Sequence, residues 1–197
     1  MNQLFSRIYH DLEVLRPCPI PASGPAILVC NHISGLDPAL IQSTSPRVVT
    51  WMMAKEFYDL GALHWMFKRL RAIPVGRGGR DMAAMRSALR ALESGGVLGI
   101  FPEGRIEKDH TLMPFQTGVA LMACRTGTSV YPAYLDGSNR NMPSMFDAYL
   151  RRHRATITFG EPIAFEKCDP EREHLEAATQ KIQESVQRLK EEVDARR

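Results

Sequence analysis

The sequence has no apolar run long enough to cross a bilayer. A spanning helix needs about 20 consecutive apolar residues, and the first residues also lack the basic start and apolar core of a signal peptide. Any membrane contact is therefore expected to be peripheral. The expected location is the cytoplasm, at the cytoplasmic face of the membrane.

Cysteine is scarce and scattered. The chain has four cysteines in 197 residues and no C-x-x-C pair. Free thiols in a reducing compartment are therefore expected rather than disulfides or zinc sites. No cluster of metal-ligating residues is present either, so neither a metal nor a redox cofactor is predicted. The cysteines are Cys18, Cys30, Cys124 and Cys168.

Charge is mild, with a net value of +3 and a pI near 8.7. No arginine-rich run alternates with aromatics, so a nucleic-acid partner is not predicted. The excess of cations favours anionic lipid surfaces or acidic carriers. A chain of 197 residues with 44% hydrophobic residues suits a single domain. Its expected parts are an N-terminal amphipathic helix and loop over 1–24, a core over 25–165 and a C-terminal helix over 169–196.

Alternating periodicities predict an α/β fold with a mixed, mostly parallel β-sheet flanked by helices. Asp169 is predicted to cap the last helix and Pro170 to open it. Gly95 and Gly96 are predicted to end an earlier helix. The predicted strands are 26–31, 47–54, 72–76, 96–101, 129–135 and 154–159. The predicted helices before the last one are 37–44, 56–70, 80–94 and 115–126.

A histidine and an aspartate follow the first buried strand. His32 and Asp37 share one short polar segment after that apolar run. An imidazole can take a proton from a hydroxyl, while a carboxylate fixes its tautomer and stabilises the imidazolium. Because no nucleophile turn is recognisable, with only Ser34 and Cys30 nearby, direct transfer onto a substrate hydroxyl is the simpler chemistry. The alternative is that His32 is an ordinary loop histidine and that Asp37, before Pro38, caps a helix.

Two further turns carry polar groups. Glu103, Gly104 and Arg105 follow a second apolar run, and if the two strands are neighbours their carboxyl ends form one crevice. Arg77 lies in a glycine-rich loop before a helix, which suits a phosphate. Lys55 is a candidate third cation for that phosphate, although a solvated surface lysine is its plainer interpretation.

These motifs resemble those of the glycerolipid acyltransferase family, which includes the lysophosphatidic acid acyltransferases. His32 and Asp37 match its H-x-x-x-x-D motif, and the strand ending at Arg77 resembles the second motif, with Gly76 where Asp is common. Residues 101–104 match F-P-E-G of the third motif, but Arg105 comes one place earlier than in the common F-P-E-G-T-R-S. The Pro-containing strand 130–135 resembles the fourth motif. Four motifs in order make chance similarity improbable.

The resemblance implies an O-acyltransferase of phospholipid biosynthesis with a glycerol-phosphate acyltransferase-like fold. His32 is implied as general base and Asp37 as its partner, with Arg77, Glu103, Gly104, Arg105 and Lys55 implied or inferred at the acceptor. The implied co-substrate is acyl-CoA or acyl carrier protein, and the implied acceptor is a lysolipid, 1-acylglycerol-3-phosphate first. Three alternatives stay open: a non-phosphate acceptor such as a lyso-aminolipid, an acyl-thioester hydrolase and an inactive lipid-binding protein.

Two segments are candidates for a peripheral membrane surface. Residues 1–16 place apolar side chains along one helical face, but packing on the core is the preferred interpretation, because the polar face carries charges of both signs. Residues 51–71 mix aromatic rings with cations, which suits a headgroup boundary. Many apolar residues of the second segment are expected in the core.

Overall fold

The computed structural model describes residues 10–76, 81–107, 111–138 and 152–196. Its sheet has seven strands in the order β1-β7-β6-β2-β5-β3-β4. The strands are β1 (Leu12–Val14), β2 (Ala26–Cys30), β3 (Val49–Ala54), β4 (Ile73–Val75), β5 (Val97–Ile100), β6 (Val130–Asp136) and β7 (Ala155–Phe159). The helices are α1 (Asp37–Thr44), α2 (Lys55–Tyr58), α3 (Gly61–Arg69), α4 (Met82–Glu93), α5 (Gly118–Thr126) and α6 (Arg172–Asp194).

The sheet is mixed and mostly parallel, as the sequence predicts. Strands β6, β2, β5, β3 and β4 run parallel, while β7 runs antiparallel to β6 and pairs in parallel with β1. The parallel strands therefore end at one edge of the sheet. In register, Val29 of β2 lies beside Ile100 of β5, and Cys30 lies beside Ala133 of β6. The polar turns that follow β2 and β5 are neighbours at that edge.

Strand β2 is buried on both faces because helices cover both sides of the sheet. Ile27 and Val29 point into a core shared with α4, α5 and α6. Ala26, Leu28 and Cys30 point into the opposite core, which includes α1. All five residues of β2 are 0% exposed, so the strand that leads to His32 is a rigid support.

The N-terminal helix prediction is wrong where the structure describes that segment. Leu12–Val14 forms β1, which pairs with β7, and residues 1–9 lie outside the described ranges. Asp11 has φ of 43°, a left-handed conformation that is incompatible with a helix continuing through this position. Pairing with the sheet edge outweighs the helical spacing of the apolar residues.

Other boundaries differ locally. The helix predicted over 56–70 is two helices, because the chain turns at Asp59 and Leu60 between α2 and α3. The last helix begins at Arg172 with Glu171 at its N-cap position, so neither Asp169 nor Pro170 opens it. The carboxylate of Asp169 instead accepts a hydrogen bond from Arg125.

The predicted glycine ending of α4 is confirmed. Gly95 has φ of 77° and its N–H donates to the Leu92 carbonyl, while the Gly96 N–H donates to Ala91. These two bonds form a Schellman motif that satisfies the last carbonyls of the helix. All four cysteines are free thiols, also as predicted. Within the described ranges, no helix combines the length and the apolarity needed to cross a membrane.

Candidate active site

His32 and Asp37 form a hydrogen-bonded pair at the carboxyl edge of the sheet. Nδ1 of His32 lies 2.9 Å from Oδ2 of Asp37. The imidazole is 17% exposed, whereas the carboxylate is fully buried. With its proton on Nδ1 the ring keeps a lone pair on Nε2, the nitrogen that can accept a proton from a hydroxyl.

The Asp37 carboxylate accepts hydrogen bonds from the turn before α1 and does not cap the helix. Its Oδ2 also accepts the backbone N–H groups of Ile33 at 2.7 Å and Ser34 at 2.8 Å, and its Oδ1 accepts the Ser138 hydroxyl at 2.6 Å. The cap interpretation is wrong, because Leu36 occupies the N-cap position of α1 and Asp37 folds back onto the turn before the helix. Four donors satisfy a carboxylate that no water reaches.

The backbone of His32 is also fixed on both sides. Its N–H donates to Oε1 of Glu103 at 3.2 Å, and its carbonyl accepts the N–H of Glu107 at 2.7 Å. The turn after β5 therefore holds the turn after β2. Together with the Nδ1 bond, these contacts leave the imidazole little freedom to rotate away from the site.

Three rings stack across adjacent strands. The His32 ring lies on Phe101 with centroids 4.0 Å apart and planes 14° apart. Trp51 of β3 stacks on the same Phe101 at 4.9 Å and 10°. Gly99 makes room for this stack, since a Cβ there would lie 2.5 Å from the Trp51 ring. The stack fixes the plane of the imidazole.

Asn31 joins the His32 turn to the neighbouring strand β6. Its Nδ2 donates to the Leu135 carbonyl at 2.9 Å, and its Oδ1 accepts the Leu135 N–H at 2.8 Å. The side chain thus replaces a stretch of backbone pairing just after β2 ends. This clasp sets the point at which the chain leaves the sheet, one residue before His32.

Glu103 is buried beside the pair, with 6% of its surface exposed. Burial raises its pKa to about 7, and the carboxylates of Glu107 and Asp37 add to the increase. The N–H groups of His32 and Met113 donate to it and lower the pKa in part. Gly104 completes the turn with φ of 73° and donates its N–H to the Phe101 carbonyl at 3.1 Å.

Neither nearby nucleophile candidate is set up for attack. Cys30 is fully buried, and burial first, then the charges of Asp37 and Glu103, raise the pKa of its thiol well above the usual range. The thiolate is therefore disfavoured. The Ser34 hydroxyl accepts the Leu36 N–H at 3.2 Å inside the turn.

The candidate cations follow neighbouring strands. Arg105 is exposed after β5, and its Nε donates to the Met113 sulfur at 3.1 Å. Lys55 begins α2 directly after β3, whose last residue, Ala54, pairs with Val75 of β4. Arg77 lies outside the described residues.

The ends of the Arg77 loop are themselves well fixed. Asp81 caps α4 through Ala83 and Ala84, and its Oδ2 accepts the Gly76 N–H at 2.8 Å. The Ala84 N–H is the largest cause of the lowered pKa of Asp81, and the Lys55 ammonium contributes to the same shift. Lys55 therefore lies on the side of the site where β4 ends.

The structure brings together His32, Asp37 and Glu103, which the sequence patterns predicted as site residues. The patterns did not predict the roles of Ser138, Asn31 or the Trp51–Phe101 stack. Asn31 carried one usable signal, a polar residue at the end of a fully apolar strand. Ser138 carried no such signal, because it comes close to Asp37 only when β6 pairs with β2 in the sheet. Among the residues that the structure describes, no group of three or more His, Cys, Asp or Glu side chains could hold a metal ion.

Comparison with known proteins places this site in context. Residues 9–136 match the acyltransferase family. The chain is 23% identical over 181 residues to the 1-acyl-sn-glycerol-3-phosphate acyltransferase of Bacillus subtilis, covering 89% of this chain and 86% of that one. It is 26% identical over 153 residues to the chloroplastic 1-acyl-sn-glycerol-3-phosphate acyltransferase LPAT1 of Arabidopsis thaliana.

The match to LPAT1 covers 76% of this chain but only 43% of the plant protein. Among solved structures, the fold is similar to that of PlsC from Thermotoga maritima, described as a 1-acyl-sn-glycerophosphate acyltransferase. The TM-score is 0.75 and the identity 24%, over 97% of this chain and 75% of that one. At that identity the likeness shows a shared fold.

Proposed function

The chain belongs to the acyltransferase family, and we propose that it moves a fatty acyl group from a thioester to the free hydroxyl of 1-acylglycerol-3-phosphate. The thioester is carried by coenzyme A or acyl carrier protein. The observation that carries this proposal is the His32–Asp37 pair, with its carboxylate buried and its imidazole partly exposed. The names of the Bacillus and Arabidopsis relatives support the acceptor.

In the proposed reaction His32 is the general base. Nε2 takes the proton as the acceptor oxygen attacks the thioester carbonyl carbon, and Asp37 stabilises the imidazolium through Nδ1. The tetrahedral intermediate then collapses, the carbon–sulfur bond breaks, and the imidazolium returns the proton to the leaving thiolate. The products are an ester and a free thiol. No acyl-enzyme forms, in keeping with the protonated, buried Cys30 thiol.

Three cations are proposed for the acceptor phosphate. Strands β5 and β3 separate β2 from β4, so the Arg77 loop leaves the sheet about 14 Å from the strand that carries His32. A glycerol phosphate and a long arginine side chain can bridge that distance together. Arg105 and Lys55 follow the two strands between them, and we propose that their side chains also reach the phosphate.

Glu103 and Gly104 are proposed to order the site. Glu103 binds the His32 N–H, and Gly104 holds the turn that presents Arg105. Because the pKa of Glu103 is raised to about 7, a protonated fraction near neutrality can also donate a hydrogen bond to the acceptor. A second base beside His32 would be redundant.

A second acceptor class is favoured by one observation. Arg105 follows Gly104 directly, one place earlier than in the common form of the family motif. That displacement changes the reach of the guanidinium toward the head group, so a lysolipid without a terminal phosphate, such as a lyso-aminolipid, is the alternative acceptor. The chemistry at His32 is the same for both.

The test is a transfer assay with purified protein. Labelled acyl-coenzyme A and acyl carrier protein donors are supplied with a panel of lysolipids, and products are read by mass spectrometry. We expect the phosphate acceptor to be converted, and His32→Ala to reduce the rate by roughly 10²–10⁴-fold. The exposed His174 in α6 provides the control variant His174→Ala, which keeps full activity.

Three outcomes would contradict the proposal. Turnover retained in His32→Ala removes the general base. Conversion of only non-phosphate lysolipids selects the alternative acceptor. Thioester cleavage at the same rate with and without any acceptor identifies a hydrolase.

A further inference from the structure

Helices α2 and α3 and the turn after them expose large apolar side chains in one short stretch. The indole of Trp65 is 66% exposed, and Phe57, Leu60 and Leu70 are 38%, 40% and 46% exposed. Single exposed apolar residues are ordinary in soluble proteins, whereas a cluster is not. Four of them within 14 residues indicate a surface that binds a partner.

The same stretch is rich in cations. On α3, Trp65 lies one helical turn before Lys68 and Arg69, so the indole and two cations share one exposed face. Residues 55–71 contain four cationic side chains and two carboxylates. The cations are Lys55, Lys68, Arg69 and Arg71, and the carboxylates are Glu56 and Asp59.

This face is not needed to hold the two helices together. Nδ1 of His64 hydrogen-bonds the Tyr58 carbonyl at 3.1 Å, and the two rings meet edge to face at 4.9 Å. Phe67 is half-buried on that inner side. The inner side therefore joins α2 to α3, and Trp65, Lys68 and Arg69 remain directed outward.

The surface lies at the same edge of the sheet as the His32 site. Helix α2 begins at the residue that follows β3, and β3 ends at the edge where β2 and β5 also end. From β3, Trp51 connects through Phe101 to the His32 ring. A flat partner that binds α2 and α3 would therefore lie at the same edge of the sheet as His32, not at the opposite edge.

We propose that α2, α3 and the Leu70–Arg71 turn dock on an anionic lipid bilayer, with Trp65 at the headgroup boundary. Indole rings favour that boundary, and Lys68 and Arg69 complement anionic headgroups. A second copy of this chain fits less well, since two such faces would bring cations together. The inference rests on the proposed function in one respect, the lipid acceptor, which could then stay in the leaflet while its head group enters the site.

Binding to vesicles tests the surface without any turnover. The full chain is sedimented with vesicles of phosphatidylcholine, with and without phosphatidylglycerol. We expect binding to the anionic vesicles, and a loss of about tenfold or more in affinity for the double variant K68E/R69E. Trp65→Ala is expected to weaken binding as well. Brominated lipid should quench part of the wild-type fluorescence and none of that of Trp65→Ala, whose remaining indole is Trp51.

Two control variants match these changes on other surfaces. Val48 is 69% exposed just before β3, at the opposite edge of the sheet, and Lys181 is exposed on α6. Val48→Ala and Lys181→Glu should bind vesicles as the wild type does. Equal binding by wild type, K68E/R69E and Trp65→Ala would overturn the proposal, as would equal loss in the controls. A concentration-dependent dimer abolished by Trp65→Ala would assign the surface to a second copy and also overturn it.

A short-chain acceptor below its micelle concentration separates this inference from the proposed function. With that dissolved lysophosphatidate, Trp65→Ala and K68E/R69E should acylate at the wild-type rate, and they should lose activity only on acceptor embedded in anionic vesicles. A wild-type chain that docks on vesicles but never acylates the dissolved acceptor contradicts the proposed function and leaves docking supported. Variants with full activity on embedded acceptor contradict docking alone.

Discussion

The hydroxyl of Ser138 donates a 2.6 Å hydrogen bond to Oδ1 of Asp37 across 101 residues of sequence. Both side chains are buried, at 1% and 0% exposure. Oδ2 of Asp37 serves His32 and two backbone N–H groups, so Ser138 is the donor to the other oxygen. Ser138 is therefore a positioning residue, which acts on the proposed reaction through the carboxylate.

Replacing Ser138 with Ala should lower kcat by roughly 10–100-fold, because a hydrogen bond to a buried charged group contributes roughly 1.5–3 kcal/mol. The KM for the acceptor should not change. Steady-state kinetics measure kcat and KM separately.

The Ser138→Thr variant keeps the hydroxyl and should restore most of kcat. Ser94, whose hydroxyl donates to the Ala91 carbonyl at the exposed end of α4, provides the neutral control Ser94→Ala. A Ser138→Ala enzyme with wild-type kcat, or a loss of kcat that Ser138→Thr does not restore, would refute the positioning role.

Replacing Asn31 with Ala should lower both stability and activity. The Leu135 N–H and carbonyl would lose their partners inside the protein, at a cost of about 2–4 kcal/mol in the free energy of unfolding. His32 follows directly, so kcat should fall too. Urea unfolding and transfer assays measure the two losses.

Gln42 offers a matched control for the Asn31 clasp. Its side-chain amide binds the Arg47 carbonyl and the Val49 N–H, each at 2.9 Å, at the other end of the sheet. Gln42→Ala should therefore lower stability while leaving kcat of the folded fraction unchanged. If Asn31→Ala behaves in the same way, the clasp has no part in placing His32.

Glu103 should make the protein less stable as pH rises toward neutrality. Its pKa rises from 4.5 to about 7 on folding, so between those values the folded state holds more proton than the unfolded state. The free energy of unfolding should then fall between pH 4.5 and about 7, by at most about 3 kcal/mol, and level off above pH 7. Urea unfolding at several pH values measures the slope.

The Glu103→Gln variant should flatten that slope because it removes the titrating group. The exposed Glu161 is the control, and Glu161→Gln should retain the wild-type pH dependence. A Glu103→Gln protein with an unchanged slope would assign the effect to another group.

Replacing Gly99 with Ala should disturb the ring stack. The new Cβ would meet the Trp51 ring at 2.5 Å and the Val49 side chain at 2.6 Å. Moving them should lower the free energy of unfolding by about 1–3 kcal/mol and reduce kcat through the His32 ring. Gly118→Ala is the control, since nothing lies within 4 Å of a Cβ there, and normal activity in Gly99→Ala would separate the stack from the site.

Local patterns predicted the parts of the fold that depend on neighbours in sequence. Helix α1 matches its predicted bounds, 37–44, and the Gly95–Gly96 ending of α4 is confirmed because its bonds join residues within one turn. The N-terminal prediction failed where a contact across the sheet decided the outcome. Leu12–Val14 pairs with β7, a strand more than 140 residues away.

In the candidate site too, the residues that are close in sequence were predicted, whereas Ser138, which meets Asp37 only across the sheet, was not. His32 and Asp37 are close in sequence, and adjacent apolar strands were enough to predict that Glu103 would lie beside them. The cap prediction for Asp37 failed because three donors outside α1, the Ile33 and Ser34 N–H groups and the Ser138 hydroxyl, compete for its oxygens. No spacing rule reveals Ser138, whose approach depends on how β6 lies against β2.

The Asn31 and Ser138 bonds also bear on when activity arises during synthesis or renaturation. A nascent chain that extends only through the turn after β5 already contains His32, Asp37 and Glu103, yet it lacks the strand that Asn31 binds and the Ser138 hydroxyl that donates to Asp37. In such a chain the histidine turn is held by the turn after β5 but not by β6 or Ser138. We therefore expect full activity to arise late, once β6 has joined the sheet and the contacts to Asn31 and Asp37 have formed.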